Sequence, residues 1–296
     1  MNFLQSRGEI LPMYVTGKKS QKRLYYLVGL VVIFLIFIVF FTHNRGREIT
    51  IIQSSSEPLS LDTLIMVPCH AIYTGGDVTS AQSWILEEYQ KDSNQHLIFI
   101  SHIEEGIKLL SRNKDALLVF SGGMTRANSN GKSEAGGYWD VAREKIEDES
   151  VRSRIVTEDF ARDSFENLLF SLARFYEMTL KWPSKIVTVG FEFKRKRFED
   201  LHRKALTWPV DKFQYVGIDP VSAVDVEKAR KGELQNSFLP FSDDLYGCRS
   251  SLLKKRISRN PYRRTAPYKL SVPSMSALFD WCPDGDEIYG GKLPWI

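Results

Sequence analysis

Cysteine is scarce in this 296-residue chain, with three in all (Cys69, Cys248, Cys282), too few to staple a domain. The core must therefore come from apolar burial. In an oxidising lumen Cys248 and Cys282 are the pair to consider, with Cys69 left beside the first strand; composition leaves open whether they join. Excess charge is also scarce: 40 Lys and Arg against 36 Asp and Glu leave +4, which gives no support to a protein that coats nucleic acid, so no nucleic-acid partner is expected. There is no HExxH, no CxxC and no GxSxG, so zinc-protease, dithiol-redox and α/β-hydrolase chemistry lose their main support. No GxGxxG follows the first apolar strand, which disfavours NAD binding of the usual kind. No cofactor is assigned, no metal-ligand spacing stands out, and no internal repeat is visible. No N-x-S/T sequon occurs among the asparagines, which neither places nor excludes a lumenal body.

What is present begins with a long apolar run. Residues 24–41 read LYYLVGLVVIFLIFIVFF without a charge, and at about 1.5 Å per residue this is roughly 27 Å of helix, enough to span a bilayer core. Tyr25, Tyr26, Phe40 and Phe41 place rings at the two headgroup levels. Thr42, His43, Asn44 and Arg45 follow with no small-residue cleavage site, so a retained anchor is expected in preference to a signal peptide. Lys18, Lys19, Lys22 and Arg23 outnumber Arg45 and Arg47 across the span, which puts residues 1–23 in the cytosol. The expected location is an endomembrane, Golgi or ER, with a lumenal body and the bilayer itself as a partner through residues 24–41; a body facing the cytosol is the alternative.

Beyond a Ser- and Pro-containing linker at 42–60, a domain is expected over 61–244. Five short apolar runs at 63–67, 116–120, 154–157, 185–189 and 213–218 read as strands buried on both faces. Helical spacing separates them, as in Ile100, Ile103, Ile107 and Leu110, and in Phe165, Leu168, Leu169, Leu172 and Phe175. Asp163 with Glu166 forms a capping-box-like start to the second of these helices. Residues 194–206 read as a third, more polar one. Strands alternating with helices argue a doubly wound α/β domain with a mainly parallel sheet, Rossmann-like in class. Residues 245–270 then carry eight basic residues and no acid, and a Pro- and Trp-containing tail closes a basic C-terminal extension, 245–296.

Ligands of such sheets bind outside the carboxyl ends of the strands, so the residues there are the candidates. Ser121, Gly122 and Gly123 form a turn suited to presenting backbone N–H groups to an anion, although SGG is also a common tight turn. Glu134 opens a helix and either faces the pocket or serves the helix dipole. Glu158 ends the third strand, with Glu166 and Asn167 just beyond. Lys194 and Arg197 follow the fourth strand and would neutralise an anion. His70, after the first strand, is an acid, a base or a hydrogen-bonded structural residue. Glu134, Glu158, Glu166 and His70 are thus the catalytic candidates, and Ser121, Gly122, Gly123, Asn167, Lys194 and Arg197 the ligand-binding ones.

In this order the residues resemble the DUF218 family of YdcF-like and SanA-like proteins, and most of all its fungal membrane-anchored branch. Ser121, Gly122 and Gly123 match a strand ending in SGG, and Ser133, Glu134 and Ala135 match its helix-opening SEA. Glu158 matches its strand-final Glu, residues 161–167 look like its S-x-N-T-x-E-N, and Lys194 and Arg197 align with its H-x-x-R. Lysine thus stands for the family histidine at 194, Asp163 and Ser164 stand for Asn-Thr, and the first strand ends in Pro-Cys-His instead of a glycine-rich turn. The resemblance covers about 61–220. It implies a Rossmann-like fold with a polar pocket of unassigned substrate. The functional expectation is a membrane-anchored domain that binds or acts on an anionic, phosphate-bearing or nucleotide-like small molecule. The alternative is a non-catalytic module that engages a membrane or partner through its basic extension.

Overall fold

The computed structural model describes residues 60–296 apart from Asp92 and Val221. The expected anchor at 24–41 lies outside the described residues. Among the described residues no helix is long and apolar enough to cross a membrane.

Strand β1 (Thr63–Pro68) is followed by a short hairpin of β2 (Ile72–Tyr73) with β3 (Trp84–Ile85), then by β4 (Ala116–Ser121), β5 (Ile155–Glu158), β6 (Lys185–Gly190) and β7 (Phe213–Gly217). The five longer strands are all parallel, in the order β5-β4-β1-β6-β7. The chain runs outward from β1 through β4 to β5, then returns to the other side of β1 for β6 and β7. This is the Rossmann-like arrangement, and its reversal beside β1 opens a crevice at the carboxyl ends. Register makes that edge even, because Pro68 pairs with Ser121 and Ser121 with Glu158.

Alternate residues of each strand feed opposite cores, as the period of two dictates. Leu64, Met66, Leu117, Val119 and Ile186 face helix α3 (Ser164–Thr179), which supplies Phe165, Leu168, Leu172 and Phe175. Ile65, Val67, Leu118, Phe120 and Val189 face helices α1 (Gln95–Arg112) and α2 (Glu134–Arg143), which supply Phe99, Ile103, Tyr138 and Val141. Two caps start the helices at the crevice. Ser133 Oγ accepts from Gly136 N at 2.8 Å, and Asp163 Oδ1 accepts from Glu166 N at 2.9 Å.

The described residues form one compact unit. The basic segment after 245 packs on the α3 side of the sheet, where Tyr246, Leu252, Tyr268 and Leu278 join that core. Helices α4 (Ala223–Glu233), after β7, and α5 (Ser250–Ser258), inside the segment, flank the crevice. Cys248 and Cys282 are joined by a disulfide that encloses most of the segment, and Cys69 is a buried free thiol.

Candidate functional site

A cavity of about 670 Å³ opens at the carboxyl edge of the sheet. Pro68 at the end of β1 lines it, with Cys69 and His70 just beyond. Phe191 and Lys194 line it from the β6 side, Glu134 from α2, and Ser164 and Asn167 from the first turn of α3. Glu233 of α4 and Lys255 and Arg259 of the C-terminal segment complete it.

Five of the ten sequence candidates line this cavity: His70, Glu134, Asn167, Lys194 and Arg197. The other five lie behind its wall. Glu158 is fully buried, with Ser121 Oγ (2.6 Å) and Ala161 N (3.3 Å) donating to one oxygen and Phe160 N (2.8 Å) and Tyr268 O–H (3.0 Å) to the other. Burial pushes its carboxyl up to about 7, against four donors that favour the ionised form. Asn167 Nδ2 donates to Ser121 O and Oγ, which ties α3 to the same hub. Glu166 is held by Arg162, whose backbone and side-chain nitrogens both donate to it at 2.9 Å, and lies 3.5 Å from Arg256.

The Ser-Gly-Gly turn does not offer its N–H groups as the sequence reading expects. Gly122 N donates to Glu158 O (2.9 Å) and Gly123 N to Ala161 O (2.7 Å). These glycines serve close packing instead. A Cβ on Gly122 would lie 2.8 Å from the Glu134 side chain and 2.9 Å from that of Cys69, and one on Gly123 would lie 2.8 Å from the Ala161 carbonyl.

The cavity wall carries six Lys and Arg and five Asp and Glu side chains, but two of the acids are paired with bases outside it, Glu87 with Arg126 and Asp163 with Arg256. Arg197 is buried, and its Nε faces Glu233 Oε1 at 3.2 Å without hydrogen-bond geometry. Among the described residues the Lys194 and Lys255 amines have neither an ion pair nor a hydrogen bond, while Lys194 Nζ sits 5.0 Å from the centre of the Phe191 ring. Burial, reinforced by Arg197, pulls Lys194 down to about 7. Burial, reinforced by Arg259 and Arg197, brings Lys255 to about 8. Glu134 accepts from Thr125 Oγ1, and burial raises its carboxyl despite nearby Arg259. His70 stacks on Phe191 at 5.3 Å and its Nε2 is buried without a partner. Burial and Lys194 hold its imidazole well below the ordinary histidine range, so it is neutral.

Sequence reasoning missed Lys255, Arg259 and Glu233, because the segments that carry them lie beyond the recognised motifs. The detectable signal was the spacing of Lys255 and Arg259, four residues apart and so on one helical face. The segment is tied down by Arg256, which donates to Asp163 Oδ2 and to Tyr246 O. Burial raises the Asp163 carboxyl, but Arg256 outweighs it and holds the group below its usual range. Arg259 donates to Arg162 O (3.1 Å) and Arg264 to Asp159 O (2.7 Å), with the Arg264 guanidinium 4.1 Å from the Phe160 ring centre.

Fold and site together define a Rossmann-like α/β protein with a partly enclosed, charged cavity at its topological switch point. No family profile matches the chain. It is 33% identical over 292 aligned positions to the uncharacterised protein YOR238W of Saccharomyces cerevisiae, an alignment spanning 78% of this chain and 96% of the yeast protein. The chain belongs to the family of that yeast protein.

Proposed function

We propose that the cavity binds an anionic small molecule, with a phosphate-bearing or nucleotide-like compound as its best occupant. One observation carries this reading: Lys194, Lys255 and Arg259 converge on one cavity, and the amines of the two lysines form no ion pair among the described residues. Mutual repulsion in a desolvated site destabilises the empty protein, and a multiply charged anion with several acceptor oxygens would relieve it. Glu134, a buried carboxyl with a raised pKa, and neutral His70 are the groups placed for proton transfer to such a ligand. Glu158, Glu166 and Ser121 frame the site without reaching it.

Residues 24–41 anchor this body to a membrane in the same reading. Support comes from the length and aromatic flanks of that run. The Cys248–Cys282 disulfide supports a lumenal body, since such bonds persist in oxidising compartments. Kinship with the DUF218 proteins belongs to the proposal too. Its support is that Glu134, Asn167, Lys194 and Arg197, which carry the resemblance, share one cavity.

The test is thermal unfolding of the full-length chain with inorganic phosphate or pyrophosphate against chloride at equal ionic strength. Either phosphate species is expected to raise Tm, with the increment much reduced in Arg259→Ala. Equal Tm in phosphate, pyrophosphate and chloride would overturn the reading.

A further inference from the structure

Ser164, in the cavity lining, forms a side-chain pair with His202, which is buried behind it. Ser164 is the first residue of α3 and lines the cavity. Its Oγ lies 2.8 Å from His202 Nε2. A serine on a histidine invites comparison with a nucleophile and its general base, but the surroundings oppose that role. His202 is fully buried, and its Nδ1 has no hydrogen-bond partner, so no third group orients the ring as a catalytic base requires. Phe165, Phe198 and Phe241 surround the ring, with centroids 5.9, 5.2 and 4.6 Å away and steeply inclined planes. Burial and the nearby Arg197 hold the imidazole well below its ordinary range, and Arg256 adds to this against Asp163.

A neutral His202 has one proton to place. On Nδ1 it would be a buried N–H with no acceptor, which is rarer and costlier than an unshared lone pair. The proton therefore belongs on Nε2, where it is donated to Ser164 Oγ. With its oxygen used as an acceptor, the serine must direct its own hydrogen elsewhere, and among the described residues no other group bonds to that hydroxyl. The open direction is the cavity. The partial positive charge at the start of the 16-residue helix α3 favours negative charge at the same place.

We infer that Ser164 is a dedicated hydrogen-bond donor to an oxygen of the bound anion and that His202 is the positioning residue that aims it. The inference rests on the anion reading and narrows it, because the ligand must present an acceptor oxygen at the first turn of α3.

Two measurements on the full-length chain in mild detergent test this. Titration with inorganic phosphate is expected to give a Kd about ten-fold weaker in Ser164→Ala, as for loss of one hydrogen bond to a charged group, and within about two-fold of wild type in Ser164→Thr, which restores the hydroxyl. In 15N-histidine NMR, His202, identified by the signal missing from His202→Gln, is expected to show the Nε2-protonated tautomer. An unchanged Kd in Ser164→Ala while Arg259→Ala loses binding would overturn the Ser164 assignment and leave the anion site standing, and so would an Nδ1-protonated His202. Absence of saturable binding by the wild type would overturn both.

Discussion

Lys194 concentrates the electrostatic character of the cavity in one residue. Its amine titrates near 7 in the folded protein because burial, and then Arg197, disfavour the charged form, whereas an unfolded lysine titrates near about 10.4. Between those values the unfolded chain holds more protons, so ligand-free stability contributed by this site rises with pH from about 7 towards 10 and is lost below that window. Denaturant unfolding across this range is expected to show the rise, and Lys194→Met to flatten it. An equally steep rise in the variant would contradict the assignment. Binding has the opposite slope, since a neutral Lys194 attracts no anion. Glu158 makes the contrasting case. The sequence marks it as catalytic because it ends a strand, yet four donors and complete burial make it a hub that holds the loop after β5.

At the scale of elements, the strongest dependence is that of helix α5 on one guanidinium. Arg256 sits between Asp163 and Glu166, both buried, and also satisfies the Tyr246 carbonyl. Replacing it with leucine strands the buried Asp163 carboxylate, while Glu166 keeps Arg162, and should cost about 3–5 kcal/mol in unfolding free energy. It should also weaken phosphate binding, because Lys255 and Arg259 ride on the same segment. The five sheet strands were legible because burial on both faces leaves near-continuous apolar runs, as in LIMV and ALLVF. The α3 start was legible because Asp163 and Glu166 form a local cap. The hairpin at 72–85 was not, since its strands are two residues each and depend on packing against α2. The placement of α5 was equally hidden. Its partners lie about ninety residues earlier in the chain, a relation that local pattern does not encode. The Ser-Gly-Gly turn was found in the right place but for a different reason, because its N–H groups are spent on neighbouring carbonyls.

For the whole molecule, a formal charge of +4 conceals a division of labour. Much of the basic C-terminal segment is engaged internally: Arg249 approaches Asp244, Arg256 holds Asp163, Arg264 caps Asp159 O and Lys269 pairs with Asp280. This leaves Lys254, Arg263 and Lys292 as its exposed, unpaired cations among the described residues, a thin basis for an interaction module and a reason to favour the ligand cavity. The Cys248–Cys282 bond closes over this segment and bears on where the body resides. In sealed endomembrane vesicles the body is expected to resist added protease and to carry only the Cys69 thiol after alkylation. Digestion without detergent, together with three modifiable thiols, would place it on the cytosolic side.

The account turns on whether those cations form a binding site. Calorimetric titration of the full-length chain with inorganic phosphate at pH 6 and pH 9 tests this most directly. Saturable binding at pH 6 that weakens several-fold at pH 9, and weakens at both pH values in Arg259→Ala, is the predicted result. No binding at either pH, or affinity that Arg259→Ala and pH leave unchanged, would contradict it.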